Sequence, residues 1–357
     1  MKEVKEINGN IGKRSAAAVT VAASVGAAIP VVSAAALSLK KQPLTDDDFI
    51  TVNGTELVTA GGNGVFLSGV NIDDYPFGCR KDSELFAPGI RDIFNTLSAR
   101  FGDYGAREIF SSALEKSVTK KDIKLLSKEK YNCIRIPLRT FLIFRNEKIK
   151  KDPVFKKLDK LVKICKKAGV YIILSLSSVP GADSDTFSDD AQGLAKRNDL
   201  IKTWLKTAEH FKNEPAIAAY DLLDIYSEKF SAEYTDLCLR TAKALKTVGD
   251  NHAVIVRSGA SGEKLNGAYG QGVILASGAA DEIPENRNLP VILLSKPDED
   301  AEVNSAGIFA YTFKGTDIEK CLYCKPREDI DLDNDSFDEM KEKLAAMLDT
   351  ASYTKMN

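Results

Sequence analysis

Histidine is nearly absent from these 357 residues: only His210 and His252 occur. That scarcity excludes histidine-rich metal centres and most Ser-His-Asp arrangements. An excess of charge of either sign is missing too. The 49 basic and 51 acidic side chains leave a formal net charge of −2, so nucleic acid or an anionic membrane is not the expected partner. The six cysteines form no framework. Cys133 and Cys165 fall in apolar stretches, where buried free thiols are expected. Cys321 and Cys324 make a lone C-x-x-C; without a second pair a zinc site is disfavoured, and a disulfide and ordinary packing both stay open. Gly61-Gly62-Asn63-Gly64 precedes a strand with no helix after it, which argues against a phosphate loop. The acidic loop holding Asp183, Asp185, Asp189 and Asp190 lacks calcium-loop spacing. No cofactor and no metal is expected.

What is present is a soluble globular chain, 44% hydrophobic and 28% charged. Residues 1–41 read as a targeting segment. Lys13 and Arg14 precede an uncharged run from Ser15 to Leu39, closed by Lys40 and Lys41. AAAVTVAASVGAAI has the length of a secretory apolar region, Pro30 breaks it, and Val32-Ser33-Ala34 is a small-x-small cleavage pattern. The same run is long enough to span a bilayer, though only weakly hydrophobic. A cleaved signal and an uncleaved anchor both place the remaining domain, 42–357, outside the cytoplasm, secreted or at the cell surface.

In that domain FITVNGTELV reads as a hairpin around Asn53-Gly54, and GVFLSGVNI as a strand. A helical region with a break at Gly102 follows. From Asp122 strand and helix alternate: YNCIRIPL, YIILSLS, AIAAYDLLDIY, HAVIVRSG, QGVILASG, LPVILLSKP and AGIFAYTF are the strand candidates. They are continuous apolar runs, as parallel strands buried on both faces must be. About eight such units argue for a (β/α)8 TIM barrel with an N-terminal β-hairpin and a short helical cap. Close spacing of strands between Ser258 and Ala306 leaves room only for abbreviated helices.

These motifs, in this order, resemble glycoside hydrolase family 5, the retaining cellulases and β-glucanases. VFLSGVNI is similar to the family's first strand. TKKDIKLLSKEKYNCIRIPL is similar to the second, with the Arg-x-Pro signature at Arg135 and Pro137. LDKLVKICKKAGVYIILSLSSVPG is similar to the third helix-strand unit. WLKTAEHFKNEPAIAAYDLLDIY resembles the approach to the fourth strand, LPVILLSKP the seventh and FAYTFKG the eighth. The resemblance implies two glutamates at strand ends, acid/base and nucleophile, roughly 5–5.5 Å apart. The positions it gives them hold Ile225, preceded by Asp224, and Ser295 or a neighbour. Ser177 stands at a histidine position, Tyr311 at a tryptophan position, and ASGAAD where the family has histidine and tyrosine. Of the family's polar residues Arg135 is retained, with Asn71 less certain in role.

A register slip does not repair the pattern, since no glutamate falls in the last two residues of any strand candidate. The acids beyond the tips are Glu228, three after Ile225, and Asp298 and Glu299 after Ser295. A pair moved onto loops would lose the fixed geometry of strand ends, where an ångström costs on the order of 100-fold in rate. The expectation is therefore a barrel without glycosidase activity that keeps a carbohydrate-binding or surface-interaction role, its partner a β-linked polysaccharide or a cell-surface component. The alternatives are endoglucanase-type hydrolysis of O-glycosyl bonds through Glu228 and Glu299, and a partner-binding scaffold unrelated to sugars. Arg135, Asp224, Asn71, Tyr311 and Tyr226 are the candidate ligand contacts, with Tyr75 as a further rim aromatic. Arg135 is expected to pair with Asp224 across the barrel mouth.

Overall fold

A computed structural model describes residues 42–72, 90–129, 131–138, 151–176, 186–224, 228–258, 266–267, 270, 272–278, 288–294, 305–313, 331 and 333–349. Lys41–Asn357 forms one compact unit. Eight parallel strands close into a barrel: β4 (Leu67–Ile72), β5 (Cys133–Leu138), β6 (Tyr171–Leu176), β7 (Ile217–Asp221), β8 (Ala253–Arg257), β9 (Val273–Ser277), β10 (Val291–Leu293) and β11 (Gly307–Phe313). β11 pairs with β4 to complete the ring. Strands β6 to β9 are buried at every residue, which is why they read as unbroken apolar runs rather than alternating ones. The expected (β/α)8 fold is present.

The helices begin where the sequence supplies caps. α1 (Ile90–Ser117) is interrupted at Gly102, which sits at φ 70°, ψ 163° and breaks the helix in two. α2 (Lys120–Lys128) starts in a Thr119–Asp122 capping box. α3 (Pro153–Ala168) has Pro153 in its first turn, and the Asp152 carboxylate accepts from the Val154 N–H at 3.0 Å. Gly169, left-handed at φ 66°, closes it. α4 (Ala191–Phe211) opens on Asp190, which accepts from the Gly193 N–H at 2.7 Å. α5 (Ser231–Thr247) and α6 (Phe337–Asp349) complete the described set. Among the described residues no helix is long and apolar enough to cross a membrane; residues 1–41, for which a targeting segment is expected, lie outside them.

The amino-terminal end of the barrel is covered by a three-stranded sheet, β1 (Ile50–Asn53), β2 (Glu56–Thr59) and β3 (Gly64–Val65). Asn53 lies opposite Glu56, so Gly54 and Thr55 form the turn, one residue later than the Asn53-Gly54 signal suggests. The sheet is fastened to the barrel by polar contacts at the strand starts. The Tyr171 hydroxyl donates to the Asp48 carbonyl at 2.9 Å, and the Phe49 ring packs 4.5 Å from that of His252. The Asp250 carboxylate receives the His252 backbone N–H at 2.8 Å and the Tyr220 hydroxyl at 2.8 Å. His252 thus belongs to the barrel floor. His210, on α4, contacts Asp159 of α3 at 2.7 Å. Neither histidine stands at a strand's carboxyl end, as the sequence implied.

Candidate functional site at the barrel mouth

Five adjacent strands, β4 to β8, each contribute one polar residue to a hydrogen-bonded chain at their carboxyl ends: Asn71, Arg135, Ser175, Asp221 and Arg257. Asp221, fully buried, is its centre. Its Oδ2 accepts from Arg135 Nε at 2.8 Å and Nη2 at 2.5 Å, from Ser175 Oγ at 2.8 Å and from Arg257 Nη2 at 3.2 Å. Ser175 Oγ in turn accepts from Arg135 Nη2 at 2.7 Å. Both guanidinium groups are largely buried, at 14% and 11% side-chain exposure. One backbone oxygen adds to their surroundings, because Arg257 Nε donates to the Asp224 carbonyl at 3.4 Å; the Arg257 backbone N–H donates to the Tyr234 hydroxyl at 3.1 Å.

The electrostatics follow from that geometry. Burial on its own would raise the Asp221 pKa. Arg257 and Arg135, with the hydrogen bonds from Arg135 and Ser175, outweigh burial and hold the carboxyl below its usual range. Asp221 in return, against the opposing effect of burial, holds the Arg257 guanidinium above its ordinary pKa. Oδ1 of Asp221 and Nη1 of Arg257 are buried and make no hydrogen bond.

Asn71 is positioned by an irregularity. The β11–β4 register shifts between Ile308 and Tyr311. Beside this bulge Asn71 Nδ2 donates to the Phe309 carbonyl at 2.7 Å, and its Oδ1 accepts from Arg135 Nη1 at 3.4 Å. Arg135 and Asn71 are thus brought together as candidates, but they serve each other and the barrel wall.

The expected Arg135–Asp224 pair is not formed; the partner of Arg135 is Asp221, three residues earlier. β7 ends at Asp221 rather than running to Tyr226, and Asp224 is only partly buried. The apolar pair after the strand is held by side chains from the flanking helices. Trp204 Nε1 donates to the Leu222 carbonyl at 2.9 Å, and the Tyr234 hydroxyl to that of Leu223 at 3.1 Å. Glu228 heads a 3-10 turn, Glu228–Phe230, and the backbone of Tyr311 lies in β11; the side chains of both are outside the described set. Ile225, Tyr226, Ser295, Glu299, Tyr75, Ser177, Cys321 and Cys324 lie outside the described residues. Asp221, Arg257 and Ser175 were missed in the sequence. The signal for two of them was there: IAAYD and AVIVR each end an apolar strand on an opposite charge, and charges so placed seek each other.

Among the described residues no group of three or more histidine, cysteine, aspartate or glutamate side chains is arranged to hold a metal ion. Asp221 is the acid at a strand tip, and its proton is already given up.

Comparison with known proteins adds a family. Residues 103–293 match the model described as Cellulase (glycosyl hydrolase family 5). A beta-xylosidase of Phanerodontia chrysosporium is 27% identical over 222 residues, 58% of this chain and 46% of that protein. A probable glucan endo-1,6-beta-glucosidase B of Aspergillus flavus is 30% identical over 155 residues, 42% of this chain and 39% of that protein. The chain thus spans less than half the length of either of these relatives. A beta-glucanase of Saccharophagus degradans, solved with cellotetraose, is 16% identical with a TM-score of 0.45, over 87% of this chain and 95% of that one.

Proposed function

The chain belongs to glycosyl hydrolase family 5, and we propose that within it this barrel has given up hydrolysis and acts outside the cytoplasm as a binder of β-linked polysaccharide. The observation that carries the reading is the state of Asp221. Retaining glycosidases need one carboxyl that can donate a proton and a second, roughly 5–5.5 Å away, that can attack the anomeric carbon. Asp221 can do neither: two guanidinium groups and a hydroxyl occupy Oδ2, and its depressed pKa leaves it without a proton near neutrality. The positions that the family resemblance gives to the two glutamates hold Ile225 and Ser295 or a neighbour of it.

Support for binding comes from the family match and from the names of the relatives. The relatives are named as a beta-xylosidase and a probable glucan endo-1,6-beta-glucosidase, so xylan and β-1,6-glucan are the polymers to test. The leader sequence supports a secreted or surface-anchored location.

Two assays decide between readings. The full domain is incubated with β-glucans, mannan and xylan and reducing ends are measured, and co-sedimentation with the insoluble polymers is followed in parallel. The expected result is retention by at least one polymer with no release of reducing sugar. Turnover that Ile225→Glu leaves unchanged but Glu228→Gln abolishes overturns the reading in favour of a hydrolase with relocated acids. Absence of both turnover and retention overturns it in favour of a scaffold unrelated to sugars.

A further inference from the structure

A cavity lies at the opposite end of the barrel from Asp221. The β1–β2 hairpin leans on the segments that lead into β9 and β10, and the space between them has a volume of about 340 Å³. This is within the range of small-ligand pockets, roughly 300–1,000 Å³. Its polar side chains are Thr51, Asn266 and Asn288, and Val52 and Leu289 are its apolar ones. Glycines at 54, 270 and 272 complete the wall.

The position is built rather than accidental. A Cβ on Gly272, which sits at φ 101°, would fall 2.5 Å from the Val52 Cβ. Only glycine lets the hairpin seat against the start of β9, and that seat forms one side of the cavity. Gly54, at φ 59°, has nothing within 4 Å of where its Cβ would stand, so the hairpin turn presents bare backbone to a ligand.

The chemistry of the lining selects the ligand. Among the described residues none of the lining side chains is ionisable. Each asparagine carries a carbonyl acceptor and two amide donors, and among the described residues neither carboxamide has a hydrogen-bond partner. Among the described residues the cation beside the cavity is Lys246, whose ammonium borders Gly270 and already has a partner of its own. Two free carboxamides beside exposed peptide groups suit a ligand with many hydroxyls and no charge, of about one or two rings in this volume.

We propose that this cavity is a second carbohydrate site, for a neutral oligosaccharide, at the amino-terminal face of the barrel. It shares no residue with the Asp221 cluster and stands whether or not the mouth binds sugar. With no aromatic side chain among its described lining residues to stack a ring, affinity is expected on the order of millimolar.

The test is an NMR titration of the domain with xylobiose and with gentiobiose, using glucuronate as a charged control. Saturable shifts of the Thr51, Gly54 and Gly270 amides with a neutral disaccharide are expected. They should weaken at least about tenfold in Asn266→Ala/Asn288→Ala, a variant of partly or fully exposed residues whose thermal unfolding should match the parent. If that pair fails to fold, Asn288→Trp, which fills the cavity, gives the same readout. Mouth binding reports separately through the Asp221 and Arg257 amides. The proposal is overturned if no neutral disaccharide moves the hairpin amides, if the shifts survive these substitutions, or if glucuronate moves them as strongly as the neutral sugars.

Discussion

Arg135 of β5 and Asp221 of β7 meet behind the intervening strand β6, with two guanidinium nitrogens 2.5 and 2.8 Å from one carboxylate oxygen. Ser175 of β6 bridges them. Asp221 is inaccessible to solvent and also carries Arg257, so Asp221→Asn strands two buried guanidinium groups. Breaking a buried pair from one side costs about 3–5 kcal/mol, and that loss is expected in urea unfolding of the variant. A cost below about 1 kcal/mol, the scale of exposed pairs, would mean that water screens the cluster.

Acid should reveal the same group. The Asp221 pKa in the folded protein is held below its ordinary value, whereas in the unfolded chain it is about 3.9. Between the two values the unfolded state binds the extra proton, so the contribution is complete above about pH 4 and is lost as pH falls through the folded value. Asp190, Asp331, Asp335 and Glu339 are lowered as well, chiefly by local hydrogen bonds, and act with the same sign. The informative quantity is therefore the stability gap between the parent and Asp221→Asn. It should be level from pH 5 to 7 and narrow on acidification below about pH 4; a gap that widens there would contradict the assignment.

Why the strands were legible and the site was not can be stated residue by residue. Parallel strands such as YIILSL are buried on both faces, so their apolar runs announce them. AIAAYDLLDIY misleads because Leu222 and Leu223 are as buried as the strand before them, although their carbonyls bond to Trp204 and Tyr234 rather than to a full ladder. Apolarity records burial, and burial continues after the ladder stops. With the strand drawn too long, the arginine was assigned to Asp224 and the true partner was passed over. The Asn71 contact depends on a bulge in β11, which leaves no mark in FAYTFKG.

Gly69 tests the packing of the barrel interior. A Cβ added there would lie 2.0 Å from the ring of Phe309, a fully buried side chain of β11. Gly69→Ala should cost about 1–3 kcal/mol, the usual penalty for overpacking a core. Phe309→Leu, destabilising by itself, should cost less in the Gly69→Ala background than alone, since the smaller side chain relieves the clash. Strict additivity of the two in a double-mutant cycle would show that they do not touch.

Ile225 and Ser295 can be tested as the vacated glutamate positions by refilling them. A retaining mechanism uses one carboxyl as acid/base and the other as nucleophile, and neither suffices alone. Ile225→Glu and Ser295→Glu should each leave reducing-sugar release at the level of the parent. The double variant should show release from β-glucan above that level. Its rate should remain orders of magnitude below that of a working enzyme, because Ser177 and the ASGAAD segment occupy the positions that the resemblance gives to histidine and tyrosine, and misplacement by an ångström costs on the order of 100-fold. Arg135 is also committed to Asp221 and is not free to orient a new carboxylate. Thermal unfolding of all three variants checks that the barrel survives. Equal activity in one single variant and the double would mean that the second position is not a glutamate site. A folded double variant with no activity would remove both positions from the argument.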